Sequence, residues 1–222
     1  MKINQDILTN DVPADDQTKE KFKVYESPNA VKRVLFLGNS ITLHETKPEI
    51  GWNYNWGMAA SGEEKDYVHL TLQALRKKYG AISYCVCNVG EWEKNYFDEN
   101  VIKKFDGAKA FAADIVIFRF GENIRQDSFD EYPLLKYLQA FTEYFTENAK
   151  TIILTDTFWA HDYICNALKQ VATQKGYIFV SLADLGEKAE NKAIGLFWHE
   201  GVANHPGDLG MQRIAERILQ KL

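Results

Sequence analysis

The 222-residue chain has only three cysteines and five prolines, and its 26 lysines and arginines are outnumbered by 31 aspartates and glutamates. Each shortage excludes something. Three cysteines cannot build the disulfide framework of a small secreted scaffold. Cys85 and Cys87 form a C-x-C pair inside an apolar run, which reads as buried thiols rather than half of a zinc site. A net charge of −5 argues against a dedicated nucleic-acid binder. No apolar run approaches the roughly 20 residues that a membrane-spanning helix needs, so no membrane association is expected. The stretch from Met1 to Asn10 lacks the apolar core of a signal peptide, and the cytoplasm is the expected compartment. What the chain does hold is 45% hydrophobic and 26% charged residues, a globular balance that excludes disorder. Its length suits one domain with a generous core. Five tryptophans stand out within an aromatic content of 13%, and they bear on the substrate below.

Residues 1–30 are polar, contain Pro13, Asp15 and Asp16, and show no sustained period, so they read as an N-terminal arm. From Val31 to Leu222 short β-branched or aromatic runs alternate with stretches of helical period, the pattern of a parallel sheet with crossover helices. Strands are expected at Arg33–Leu37, Ile82–Cys87, Asp114–Phe118, Thr151–Thr155 and Tyr177–Val180. Most are apolar on both faces, as strands covered on each side must be. Ser61 and Glu64 form a capping box that predicts a helix carrying Val68, Leu72, Leu75 and Tyr79 on one face. Leu134, Leu138, Phe141 and Phe145 predict a second helix, with Pro133 at its first position. Ile164, Leu168 and Val171 predict a third, ending near Gly176. Met211, Ile214, Ala215, Ile218 and Leu222 predict the last, capped by Asp208. The sum is an α/β protein of three layers, α/β/α, around a five-stranded parallel sheet, with residues 31–222 as one domain.

Ligands of open α/β sheets bind outside the carboxyl ends of the strands, so the loops there are the ones to read. After the first strand comes Gly38-Asn39-Ser40-Ile41-Thr42. A serine after a tight glycine turn either presents its hydroxyl to a substrate or caps the next segment. After the second strand comes Asn88-Val89-Gly90, and after the third Phe120-Gly121-Glu122-Asn123. Loop glycine N–H groups and asparagine amides are the donors an oxyanion hole needs, and both residues are equally ordinary in turns. Ahead of the last helix stands His199-Glu200-Gly201-Val202-Ala203-Asn204-His205-Pro206. Histidine is the usual base for a serine nucleophile. A metal site of His199, Glu200 and His205 is disfavoured, because the spacing is not H-E-x-x-H.

These four blocks, in this order, resemble the SGNH hydrolase superfamily, the GDSL-like esterases and lipases, over residues 31–222. The resemblance implies a flavodoxin-like topology and a serine esterase that forms an acyl-enzyme, with no metal or organic cofactor. By the same resemblance Ser40 is the nucleophile and His205 the base. Ser40, Gly90 and Asn123 supply the oxyanion hole. Two departures stand out. The family's Gly-Asp-Ser reads Gly38-Asn39-Ser40 here. The family's acid, three residues before the histidine, is replaced by Val202. Either Glu200 reaches the imidazole, or Ser40 and His205 work as a dyad whose ring is oriented by a backbone carbonyl or another side chain.

Trp52, Trp56, Trp92 and Trp159 all fall on loops expected around Ser40, and Trp198 precedes the histidine loop. They either pack these loops together or wall a site for a sugar ring, which points to a small-molecule or carbohydrate ester, such as an O-acetyl sugar. The alternatives are a lipase or acylhydrolase for longer acyl chains and a non-catalytic carbohydrate-binding relative. A flavin-binding protein of similar sheet is disfavoured, because Gly38-Asn39-Ser40-Ile41-Thr42-Leu43-His44 is a poor phosphate cradle.

Overall fold

A computed structural model describes residues 22–222. Its sheet has six strands: β1 (Phe22–Tyr25), β2 (Lys32–Gly38), β3 (Ile82–Asn88), β4 (Ile115–Arg119), β5 (Thr151–Thr155) and β6 (Ile178–Val180). Their order is β1-β3-β2-β4-β5-β6, with β1 antiparallel to β3 and every other pairing parallel. The five expected strands are all present, with bounds shifted by a residue or so. The sixth, β1, lies inside the segment read as an arm. Its four residues carry no period of their own, and pairing with the edge of β3 makes them a strand, with Tyr25 stacked on Tyr84 at 4.4 Å. Residues 1–21 of the expected arm lie outside the described residues.

Alternation along the strands builds the layers. Leu35, Leu37, Cys85, Cys87, Val116, Phe118 and Leu154 face one side. There they pack on Leu134, Leu138 and Phe141 of α4 (Leu134–Tyr144) and on Ile164, Leu168 and Val171 of α5 (Asp162–Lys175). Val34, Phe36, Val86, Ile117 and Ile153 face the other side. They meet Val68, Leu72 and Leu75 of α1 (Tyr67–Tyr79), and Met211, Ile214 and Ile218 of α7 (Asp208–Leu219). Three short helices, α2 (Gly90–Lys94), α3 (Asp106–Ala110) and α6 (Glu200–Ala203), sit in the connections. Cys85 and Cys87 are buried free thiols, and burial pushes the Cys85 thiol up to about 12. No described helix is long and apolar enough to cross a membrane.

The expected caps are rearranged. Asp66, not Ser61, caps α1, its carboxylate accepting the His69 N–H at 2.8 Å. Ser61 instead donates its N–H and hydroxyl to Asp208 at 2.8 and 2.7 Å, and Asp208 opens α7 behind Gly207 at the cap position. Each residue expected to cap a helix thus bonds the other and ties the entrance of α1 to that of α7. Pro133 stands just before α4 rather than at its first turn.

β2 is the topological switch point, with β3 on one side and β4 on the other. In the register, Gly38 pairs with both Asn88 and Arg119, so three strands end at one level and their loops emerge side by side.

Candidate active site

The turn after β2 is fixed by Gly38. A Cβ there would stand 1.9 Å from Thr42 Oγ1 and 2.4 Å from the Arg119 carbonyl oxygen, so no other residue fits. The Thr42 and Leu43 N–H groups fold back onto the Asn39 carbonyl at 2.9 and 3.0 Å, which lifts Ser40 to the mouth of the switch point. His205 arrives from the loop between α6 and α7, and its Nε2 lies 2.8 Å from Ser40 Oγ. Its Nδ1 lies 2.6 Å from the Gly201 carbonyl oxygen. A carbonyl can only accept, so Nδ1 carries the proton and Nε2 offers its lone pair to the Ser40 hydroxyl. Burial pulls the imidazole down to about 4, which keeps this neutral tautomer at pH 7. Trp159 meets the ring edge-on at 5.4 Å.

Beneath Ser40 lies a buried polar cluster. The Asn39 amide donates to Glu93 Oε1 at 3.0 Å and to Glu122 Oε2 at 2.5 Å. Its carbonyl accepts from Arg119 at 2.9 Å and from the Ile41 N–H at 3.3 Å. Every donor and acceptor of that side chain is used. Arg119, fully buried at the end of β4, also pairs with Glu122. Burial opposes the Glu122 charge, but the guanidinium and hydrogen bonds from Arg119, Phe158 and Asn39 hold this carboxyl below its ordinary range. Glu93, with no such cation against it, is pushed up by burial and then by the Glu122 charge.

The donors expected for an oxyanion are placed unequally. Ser40 N–H meets no acceptor among the described residues. Asn123 lines the cleft, with one amide N–H given to Glu93 Oε2 at 2.6 Å and the other left over. Gly121 sets that loop with φ of 131°, a conformation that L side chains rarely adopt. Gly90 also lines the cleft, but its N–H donates to Asn88 Oδ1 at 2.8 Å and would have to share that hydrogen with a ligand. The cleft itself measures about 600 Å³ and is further lined by Leu43, His44, Glu45, Glu91, Lys94 and His199. Burial lowers the His44 imidazole as well. Among the described residues no three His, Cys, Asp or Glu side chains gather as metal ligands.

No protein-family model matches the chain, and no curated protein does. Solved structures do. The chain is similar to an acetylxylan esterase, Axe2, from Geobacillus stearothermophilus, at 18% identity and a TM-score of 0.52 over 86% of this chain and 94% of that one. It is also similar to the psychrotrophic esterase EstA from Pseudoalteromonas sp., inhibited there by monoethylphosphonate, at 13% identity and a TM-score of 0.52 over 86% and 96%. A lipase/acylhydrolase from Enterococcus faecalis matches at 12% identity and a TM-score of 0.56 over 86% and 94%. The fold is that of the SGNH hydrolases.

Within this SGNH fold several expected residues stand elsewhere. Glu200 does not orient His205. It is exposed at the start of α6, and the ring is held by the Gly201 carbonyl because residues 200–203 form a helical turn that brings the backbone to the imidazole. Trp52 (0% exposed) and Trp92 (2%) do not bind substrate from these positions. Trp52 sits in a small core with Met58 and Val202, and Trp92 stacks on Phe141 at 3.8 Å. Trp56 stacks on Tyr54 and gives its N–H to the Ala60 carbonyl. None of these three, nor Trp159, lines the cleft. Trp198 is the exposed tryptophan, at 72%, lying over Gly51 and edge-on to the cleft residue His199. Glu93, Glu122 and Arg119 were not singled out from sequence. The available signal was an arginine ending an otherwise apolar strand, two residues ahead of a glycine-glutamate pair.

Proposed function

We propose that the protein is a carboxylic ester hydrolase that works through an acyl-enzyme on Ser40. The observation that carries this reading is the 2.8 Å contact between Ser40 Oγ and His205 Nε2, on a switch-point turn flanked by unspent N–H donors. The Ser40 oxygen attacks the ester carbonyl carbon while its proton passes to His205 Nε2. Negative charge gathers on the former carbonyl oxygen, facing the Ser40 N–H, the Asn123 amide and, if it is shared, the Gly90 N–H. Collapse breaks the bond to the alkoxide, which leaves as alcohol with the proton from His205. Water repeats the sequence and releases the acid. The ring then relies on a backbone carbonyl instead of a carboxylate, which makes it a weaker base than one paired with an acid.

The acyl group is short and the alcohol part polar, as in an O-acetyl carbohydrate. Leu43, Met58 and Val202 are almost wholly buried in the cleft wall, which leaves Ile50 as its part-exposed aliphatic side chain. Around them stand His44, Glu45, Glu91, Lys94 and His199, groups suited to hydroxyls, and Trp198 offers a flat exposed face at the rim. The fold's likeness to an acetylxylan esterase is consistent with this substrate class. The test is hydrolysis of p-nitrophenyl esters from acetyl to decanoyl, together with acetylated sugars. Turnover of acetyl esters that Ser40→Ala abolishes supports the reading. Full activity in Ser40→Ala overturns it, and preference for the decanoyl ester overturns the short acyl group.

A further inference from the structure

Three neighbouring strand ends converge on one carboxyl group that the hydrolytic steps do not use. Glu93 lies on α2, three residues past Gly90, and is fully buried. Its Oε1 accepts the Gly121 N–H at 2.5 Å and the Asn39 amide at 3.0 Å. Its Oε2 accepts the Asn123 amide at 2.6 Å. Glu93 belongs to the connection after β3, Asn39 to the turn after β2, and Gly121 and Asn123 to the loop after β4. One side chain therefore joins the three loops. Its partners are donors on the nucleophile turn and on the oxyanion loop.

The consequence falls on Asn123. An asparagine amide has two N–H bonds in one plane. When Glu93 holds one, the plane is set and the direction of the second is set with it. An amide without that anchor rotates about its last torsion, whose preference is broad. A donor fixed in advance costs nothing to reorganise when charge develops on the substrate oxygen, and this is where such donors act most strongly. The Gly121 N–H bond to the same carboxyl holds the backbone from which Asn123 projects.

We propose that Glu93 is a positioning residue of the oxyanion hole, fixing the Asn123 amide for the transition state and tying it to the turn that bears Ser40. The proposal rests on the ester-hydrolase reading above. Glu93 does not touch substrate, since the Asn39 and Asn123 side chains and the Gly121 backbone lie on its acceptor atoms. Its loss therefore lowers kcat and leaves KM nearly unchanged.

A double-mutant cycle with p-nitrophenyl acetate separates this role from general support of the fold. Glu93→Gln keeps the shape but turns one acceptor into a donor facing donors. It is expected to lower kcat about 10- to 100-fold with KM within about threefold, less than the 100- to 1,000-fold typical of losing an oxyanion donor outright. In an Asn123→Ala background the same substitution is expected to cost less than about threefold, because the group it positions is gone. If Glu93→Gln does not accumulate folded, Glu93→Met, of similar volume and without donors, runs the same cycle. A kcat within about twofold of wild type, or an equal loss in both backgrounds, overturns the proposal. Either result, obtained while the wild type turns over and Ser40→Ala does not, leaves the ester-hydrolase reading standing. An inactive wild type removes that reading and this proposal with it.

Discussion

Asn39→Asp would turn Gly38-Asn39-Ser40 into the Gly-Asp-Ser block that it resembles, and in this chain it should be harmful. The Asn39 amide points its two N–H bonds at two carboxylates, Glu93 at 3.0 Å and Glu122 at 2.5 Å. An aspartate puts an oxygen there instead and adds a third carboxyl group against Glu93 and Glu122, with the Arg119 guanidinium already paired to Glu122. The folded protein can escape the added charge by holding one more proton. At pH 7 that costs about 1.4 kcal/mol per pH unit above the ordinary aspartate value near 3.9, or about 4 kcal/mol. A protonated acid has one O–H where the amide had two N–H, so one bond is lost for about 1 kcal/mol more. The sign follows from linkage. The new carboxyl has a folded value above its unfolded one, so the charge penalty is absent below about pH 4 and grows as the pH rises. At pH 5 the total falls to roughly 2.5 kcal/mol. At roughly 2–4 °C per kcal/mol for a chain of this size, Asn39→Asp should lower Tm by about 10–20 °C at pH 7 and about half that at pH 5. Thermal unfolding followed by circular dichroism at the two pH values measures both numbers. A Tm within about 3 °C of wild type at pH 7, or the same gap at both pH values, would refute the reading of the cluster.

Three further outcomes follow from the same geometry. Glu200→Ala should keep kcat/KM within about threefold of wild type, because the Gly201 carbonyl holds the imidazole; a loss of 100-fold or more would return Glu200 to the catalytic set. The pH profile of kcat/KM should show its acid limb near 4, well below the ordinary histidine value near 6.5, since His205 accepts a proton only when neutral and burial keeps it so. A limb at 6.5 or above contradicts that environment. Trp198→Ala should raise KM for an acetylated oligosaccharide roughly fivefold to 30-fold, the worth of about 1–2 kcal/mol of stacking, and leave p-nitrophenyl acetate turnover unchanged. Equal effects on both substrates would remove Trp198 from sugar recognition.

Much of the fold was legible because its strands are buried on both faces. Runs such as Arg33–Leu37 and Thr151–Thr155 announce themselves as apolar stretches between turns, and the helices between them keep a clear apolar stripe. β1 was not legible. Four residues with an exposed half have no signal apart from the β3 edge that pairs them. Local cap signals misled for a tertiary reason, as Ser61 and Asp208 each found a better partner in the other, 147 positions away. The tryptophans misled because glycine-containing loops resemble a solvent-facing rim in sequence, yet Trp52 and Trp92 fill the space beneath those loops. Ser40, Gly90, Asn123 and His205 were picked out by the resemblance of four ordered blocks to the SGNH hydrolases, the first three blocks falling at expected strand ends. The cluster of Glu93, Glu122 and Arg119 was not, because it exists only where three strands end in register.

The proposed hydrolysis requires Ser40 to be an activated nucleophile, and a fluorophosphonate reports that directly. Incubation with a slight excess of the reagent at pH 7.5, followed by peptide mass spectrometry, should place one phosphonyl group on Ser40 and abolish esterase activity in step with labelling. His205→Ala should slow the reaction by a factor of about 1,000 or more, since the serine then has no base. A protein that hydrolyses acetyl esters while Ser40 remains unlabelled, or that carries the label on another residue, would contradict it.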